Sequence, residues 1–204
     1  MSDFPAEYFQ KQDASDDALF YKYPRKVVHI DDGAIARVRQ HLADLLPTGG
    51  TYLDLMSSWR SHIPEALKPA RVIGLGMNAA EMEDNPQLDQ HLVQNLNNNQ
   101  DLPFDDATFD GAMCTVSVQY LQKPVAVFAE VGRVLRPGAP FVVTFSNRCF
   151  PSKAVVVWLG STDAQHMAIV TRYFEEAGHW QGIEAHAYTP KRNDPLYAVW
   201  AYRK

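Results

Sequence analysis

Gly74-Leu75-Gly76-Met77-Asn78-Ala79 has the spacing G-x-G-x-x-A. In that pattern glycines let the backbone approach a pyrophosphate, and the N-terminus of the next helix meets its charge. Taken alone it predicts a nicotinamide dinucleotide. The same pattern needs an acid about 20 residues further on to hold the ribose, and that stretch offers Gln94, Asn95 and Asn97 instead. The cysteines, Cys114 and Cys149, lack the spacing of a metal motif or redox pair and read as free thiols of a reducing cytoplasm. No metal-ligand cluster and no nucleophile triad is expected. A general base is best sought among the histidines, because imidazole titrates near neutral pH. His62 is the candidate, with His29 and Tyr21 further choices near the N-terminus. Arg148, within Asn147-Arg148-Cys149, has the planar fork that suits an anionic substrate.

These residues must be held by elements, and the chain alternates strand-like and helix-like pieces. Ile35, Val38, Leu42 and Leu45 recur at helical spacing behind the capping acids Asp31 and Asp32. Strands are expected at 51–56, 71–75, 91–96, 109–116, 141–145, 183–188 and 196–202. Helical pieces are expected at 64–67, 79–84, 124–135 and from Thr162-Asp163 to Glu176. The apolar run 141–145 suits a central strand covered on both faces. The pattern predicts an α/β fold: a Rossmann-like, doubly wound and mostly parallel sheet with an antiparallel C-terminal hairpin and helices on both faces. One domain is expected over 1–204, with 1–30 an aromatic-rich arm or lid.

The 204 residues carry a net charge of −5 with scattered basic residues, so a nucleic-acid partner is not expected. No apolar run approaches the ~20 residues of a membrane span, and the N-terminus lacks the apolar stretch of a secretory signal. A cytoplasmic protein acting on a small molecule is the expectation.

Residues 102–145 read LPFDDATFDGAMCTVSVQYLQKPVAVFAEVGRVLRPGAPFVVTF. Leu102-Pro103-Phe104, Phe109-Asp110, Glu130, Arg133 to Gly138 and the apolar run after them fall in the register of a known pattern. This block resembles the second half of class I S-adenosylmethionine-dependent methyltransferases of the type 11 kind, and the resemblance extends back to Thr51. It implies that Asp54 is the acid ending the first strand and that Met56-Ser57-Ser58-Trp59-Arg60 is the cofactor loop. The loop's usual glycines are replaced at Met56, Ser58 and Arg60. Ser57 and Ser58 hydroxyls can donate to the cofactor's carboxylate. Gly76 then stands at the place of the ribose acid, with Met77 beside it and Asn78 or Glu81 as nearby polar groups. Asn95-Leu96 stands beside the adenine, and Thr115 opens the loop facing the crevice. Tyr21, Gln119, Tyr120, Asn147 and Arg148 are the implied substrate contacts, and His62, just after the cofactor loop, the implied base. The implied function is S-adenosylmethionine-dependent methyl transfer to a small-molecule acceptor. The alternatives are a non-catalytic ligand-binding or interaction protein of the same fold, and the nicotinamide enzyme.

Overall fold

Residues 4–204 are described in a computed structural model, so the first three residues of the expected arm lie outside the description. Seven strands form one sheet in the order β3-β2-β1-β4-β5-β7-β6. They are β1 (Thr51–Ser57), β2 (Arg71–Gly76), β3 (Gln90–Val93), β4 (Gly111–Thr115), β5 (Pro140–Phe145), β6 (Trp180–Tyr188) and β7 (Leu196–Arg203). The first five run parallel, and β7 is antiparallel to both β5 and β6. All six residues of β5 are buried, as its continuous apolar run requires. The chain winds outward from β1 to β3, then returns to start β4 on the other side of β1. The β1/β4 junction is therefore the switch point, beyond whose carboxyl ends such sheets bind ligands.

The two faces are covered unequally. Leu53, Leu55, Ala112, Phe141 and Val143 pack beneath α4 (Pro124–Val134) and α6 (Asp163–Ala177). The opposite face, with Tyr52, Val72, Met113, Val142 and Trp200, is met by Ala34, Val38 and Leu42 of α2 (Asp32–Leu45) and by Ile63 and Leu67. Asp31 caps α2 as its sequence suggests, accepting from the Ala34 amide at 2.9 Å. Among the described residues no helix is long and apolar enough to cross a membrane.

Several expectations need correction. No α-helix follows β1; the 64–67 piece is a 3-10 turn, Glu65–Leu67. The third strand ends at Val93, so Asn95 and Leu96 lie in the loop beyond it. The arm is not wholly irregular, since it holds α1 (Asp17–Phe20), capped by Asp16. A short α5 (Val156–Leu159) went unexpected.

The block 102–145 is a structural latch. Arg133 donates to the Phe104 and Leu102 carbonyls, both at 2.9 Å, and pairs with Asp106 and Glu130, both at 2.8 Å. Glu130 accepts from the Leu102 amide at 3.0 Å. Asp110 accepts from the Thr51 amide at 2.9 Å and pairs with Arg136. The motif thus ties α4 and its turn to the start of β1 and β4, away from the switch point.

Candidate functional site

A cleft opens at the carboxyl ends of β1, β2 and β4. Its floor is two strained turns. Met56 has φ 57 and Val116 has φ 51, one at the end of β1 and the other just past β4. A β-branched residue at positive φ is a genuine outlier, and such strain gathers at ligand sites because the surrounding structure enforces it. At Val116 the enforcing contact is its amide donating to the Thr144 carbonyl at 2.7 Å.

The serine loop is wired from below. Asp54 is buried and accepts from Ser57 Oγ and Ser61 Oγ, each at 2.6 Å. Asn85 donates to Ser61 Oγ at 2.8 Å and to the Ser58 carbonyl at 2.9 Å. The loop is thereby rigid without a helix behind it. Burial pushes the Asp54 carboxyl up from 3.8 to about 6, although the two serine hydrogen bonds pull it down. A carboxyl raised in the folded state favours folding when protonated. That contribution is whole below the unfolded value and is lost as pH rises through 6. Ionisation at pH 8 therefore costs about 3 kcal/mol. Asp54→Asn keeps a carbonyl acceptor for the serines. We expect it to raise the thermal midpoint at pH 8 and to leave it nearly unchanged at pH 4. An equal effect at both pH values would refute the assignment.

Gly74 and Gly76 have a purpose other than phosphate binding. A Cβ on Gly76 would lie 2.2 Å from the Ser57 carbonyl oxygen, and one on Gly74 would lie 2.6 Å from Leu88. The glycines let β2 approach the serine loop and Leu88. The turn after β2 also carries a carboxylate. Asn78 caps the five-residue α3 (Ala79–Glu83) by accepting from the Glu81 amide at 3.0 Å. Glu81 is itself buried and lines the cleft. A carboxylate there repels a pyrophosphate, so the dinucleotide reading of 74–79 loses its physical basis.

The arm contributes one wall of the cleft. Asp17, Tyr21, Arg25 and His29 all line it. The Arg25 amide donates to Glu81 Oε1 at 2.5 Å, and Ser58 Oγ donates to Glu81 Oε2 at 2.6 Å. Asn78 donates to the Tyr21 carbonyl at 2.8 Å. The Trp59 indole donates to the Val27 carbonyl at 3.0 Å. The arm is anchored by a buried cation, Lys153, which pairs with Asp13 at 3.0 Å and Asp17 at 3.5 Å. Asp17 also pairs with Lys11 at 2.7 Å and accepts from Asn97 at 2.8 Å.

The residues expected from the sequence divide clearly. Met56, Ser57 and Ser58 line the cleft from β1, and Gly76, Met77 and Asn78 from β2. Asn95 and Leu96 line it from the β3 loop, Thr115 from β4, and Tyr21 and Tyr120 from arm and rim. Asp54 lies beneath the loop rather than in the cleft. Gln119 is buried under the rim, donating to the Val116 and Arg148 carbonyls at 3.1 and 3.4 Å. Arg148 turns outward to Asp194 at 2.9 Å, and Asn147 is exposed. Neither reaches the cleft; Phe150, three residues further along, does. His62 lines a neighbouring recess instead, because the chain after Ser61 turns away from the sheet. His29 is the histidine on the cleft wall, its ring 5.2 Å from Phe150. Its pKa is lowered, by burial first and by Arg25 less, with Glu81 opposing. Tyr120 accepts from the Phe150 amide at 2.8 Å, and burial pushes its hydroxyl up to about 12.

Among the described residues no three His, Cys, Asp or Glu side chains gather as a metal site would need. Asn78 and Glu81, expected as polar groups near the end of β2, both line the cleft, and Asn78-x-x-Glu81 is a recognisable cap pattern. Other lining residues were missed: Arg25, Asp17 and Phe150 had no such signal.

Residues 59–143 match the family described as a methyltransferase domain. Over 133 residues the chain is 29% identical to the biotin biosynthesis bifunctional protein BioHC of Teredinibacter turnerae, which covers 54% of this chain and 23% of that one. Over 80 residues it is 39% identical to methyltransferase phqN of Penicillium fellutanum, covering 36% of this chain and 24% of that one. The matches thus span about a quarter of the length of each curated relative. A SAM-dependent methyltransferase from Thermotoga maritima superposes with TM-score 0.62 at 15% identity, covering 84% of this chain and 90% of that one. The chain thus has the fold of known SAM-dependent methyltransferases, and residues 59–143 match the methyltransferase-domain family. The family match begins at Trp59, so the Asp54–Ser58 part of the serine loop lies outside the matched segment.

Proposed function

We propose that this protein binds S-adenosylmethionine in the cleft and transfers its methyl group to a small-molecule acceptor. The observation that carries the reading is Glu81. It is a buried carboxylate lining the cleft just past β2, where Gly76 leaves the strand end without an acid. Its hydrogen bonds come from the Ser58 hydroxyl and the Arg25 amide, not from a side-chain cation. Such a group fits a ribose diol and favours a cationic ligand.

The rest of the lining fits the same cofactor. Met56, Leu75 and Leu96 offer apolar wall. Asn95 accepts from the Asn97 amide at 2.9 Å, which fixes its carbonyl and leaves its amide N–H groups to donate toward an adenine. Ser57 and Ser58 stand at the place of the methionine moiety. When bound, the cofactor supplies a methyl group activated on a sulfonium. The protein's task is to orient the acceptor and shed water. Tyr21, Tyr120 and Phe150 do this at the rim, with the arm as cover. Where the acceptor must lose a proton, His29 is the residue to take it, since its lowered pKa keeps the imidazole neutral at pH 7.

Calorimetry with S-adenosylmethionine, S-adenosylhomocysteine and NAD tests the reading. Binding of the first two and not the third is expected. Glu81→Gln is expected to weaken S-adenosylmethionine by about tenfold or more, as loss of a charge-assisted hydrogen bond does. Unchanged affinity in that variant would remove Glu81 from the site. Failure of both adenosyl ligands would favour a non-catalytic role for the fold. One observation supports that second reading: the arm backbone already occupies Glu81 and Asn78.

A further inference from the structure

A second concavity lies beside the cleft, between α2 and the loop after β1. Arg39, Asp32 and Gln40 line it from the helix, and Arg60 and His62 from the loop. Among the described residues neither guanidinium holds a carboxylate. Arg39 makes no ion pair. Arg60 donates to the Trp59 carbonyl at 2.8 Å and the Asp84 carbonyl at 3.5 Å, and stacks 4.0 Å from the Trp59 ring. What sets Arg39 and Arg60 apart from the acid-paired Arg133, Arg136, Arg148 and Arg172 is that two guanidiniums without a carboxylate partner line one hollow.

His62 is delivered into that hollow under strain. Its φ is 58, a conformation a non-glycine residue keeps only when its neighbours enforce it. The enforcement is visible on both sides. Ser61 is tied to Asp54 at 2.6 Å and to Asn85 at 2.8 Å. Ile63 is held by Gln87 through its amide at 3.2 Å and its carbonyl at 2.7 Å. Burial, then Arg39 and Arg60, push the imidazole down to about 4, so the fields of both arginines meet at this ring. Between the recess and the cleft lies a space walled by Arg60 and His62, by Met56 and Thr115, which also line the cleft, and by residues 27–30 of the arm.

We propose that the recess is a subsite for an oxyanion group, a carboxylate or a phosphate monoester, held between Arg39 and Arg60 and carried by the methyl acceptor, whose remaining length runs past His62 along residues 27–30 toward the cleft. Two guanidiniums offer the paired donors such a group needs. The anion site stands on the recess; its assignment to the acceptor rests on the methyl-transfer reading above.

Calorimetry at low salt with phenyl phosphate and with hexanoate tests it on the intact chain. Binding of at least one probe is expected, and the tighter of the two identifies which oxyanion the recess favours. Arg39→Gln and Arg60→Gln are each expected to weaken that probe about tenfold, the loss of one charge-assisted contact. Asp32→Asn is expected to strengthen it by removing the opposing charge, a response a merely structural role would not give. S-adenosylmethionine affinity is expected to be the same in Arg39→Gln and Asp32→Asn, which lie on α2 outside the serine loop. Equal probe affinity in wild type and the Arg39→Gln/Arg60→Gln double variant, with circular dichroism showing both folded, overturns the subsite. So does failure of both probes to bind the wild type. Anion binding without S-adenosylmethionine binding overturns the acceptor assignment and the methyl-transfer reading while leaving the anion site standing.

Discussion

Lys153→Met is expected to free the arm and to lower stability by about 3 kcal/mol, the low end of the cost of breaking a buried ion pair. The Lys153 side chain is 0% exposed and its ammonium is fully engaged. Besides Asp13 and Asp17 it donates to the Ser15 carbonyl at 3.0 Å and to the Ser15 hydroxyl at 3.3 Å. Methionine fills the volume but removes the donor shared by these acceptors, of which Asp17 is buried. The loss stays at the low end because Asp17 keeps Lys11 and Asn97, and Asp13, 39% exposed, can hydrate. The change should be read in two ways. Urea unfolding should show a lower midpoint. Hydrogen exchange should show faster opening of residues 11–20, with β4 and β5 still protected. An arm that stays protected in this variant would mean that its other hydrogen bonds, such as Val156 N to the Gln10 carbonyl at 2.8 Å, suffice to hold it.

Gly76→Ala should be nearly as damaging, for a different reason. The added Cβ meets the Ser57 carbonyl oxygen at 2.2 Å and Met82 Sδ at 2.9 Å. Met82 can move, being the far end of a flexible side chain. The Ser57 carbonyl cannot, because its residue is bound to Asp54 and sits in the β1/β2 ladder beside Gly76. Overpacking of this kind costs about 3 kcal/mol, a large share of the roughly 5–15 kcal/mol that holds a domain folded. The expected result is a thermal midpoint lower by roughly 10 °C, together with weakened S-adenosylmethionine binding as the serine loop is displaced. A Gly76→Ala protein with the wild-type midpoint would show that β1 and β2 do not approach as closely as described.

Much of the fold was legible because its signals are local. Arg136-Pro137-Gly138 ends α4 and turns the chain into β5, and the apolar run of β5 announces its own burial. Asp31 and Thr162 each cap the helix their position suggests, the latter with a full capping box to Gln165. The cleft floor was legible through the same block, since the order of strands fixes where β1 and β4 end. What failed depends on contacts distant in sequence. Arg148 sits on the right edge of the sheet, but Asp194 draws it outward. Asp17 and Arg25 reach the cleft because an arm folds back onto Lys153 and Glu81, and no periodicity encodes that. Gly74 and Gly76 were legible as a close approach, but the partner is the chain's own Ser57 loop rather than a phosphate. His62 was misplaced because a left-handed residue reverses the direction in which its side chain leaves the chain, and only glycine or asparagine would have warned of it.

The short link from β1 to β2 has a consequence for the order of assembly. In the absence of a helix there, α2 is the helix whose apolar residues meet that face of the sheet, and it comes before the first strand. Its partners include Val142 of β5 and Trp200 of β7, far downstream in the sequence. As the chain emerges from its N-terminus, the apolar stripe of α2 can meet Tyr52, Val72 and Met113 first, but its cover is complete only when β5 and β7 exist. Contacts of such long sequence separation form late, so this face closes last and is the surface most exposed to wrong partners during synthesis.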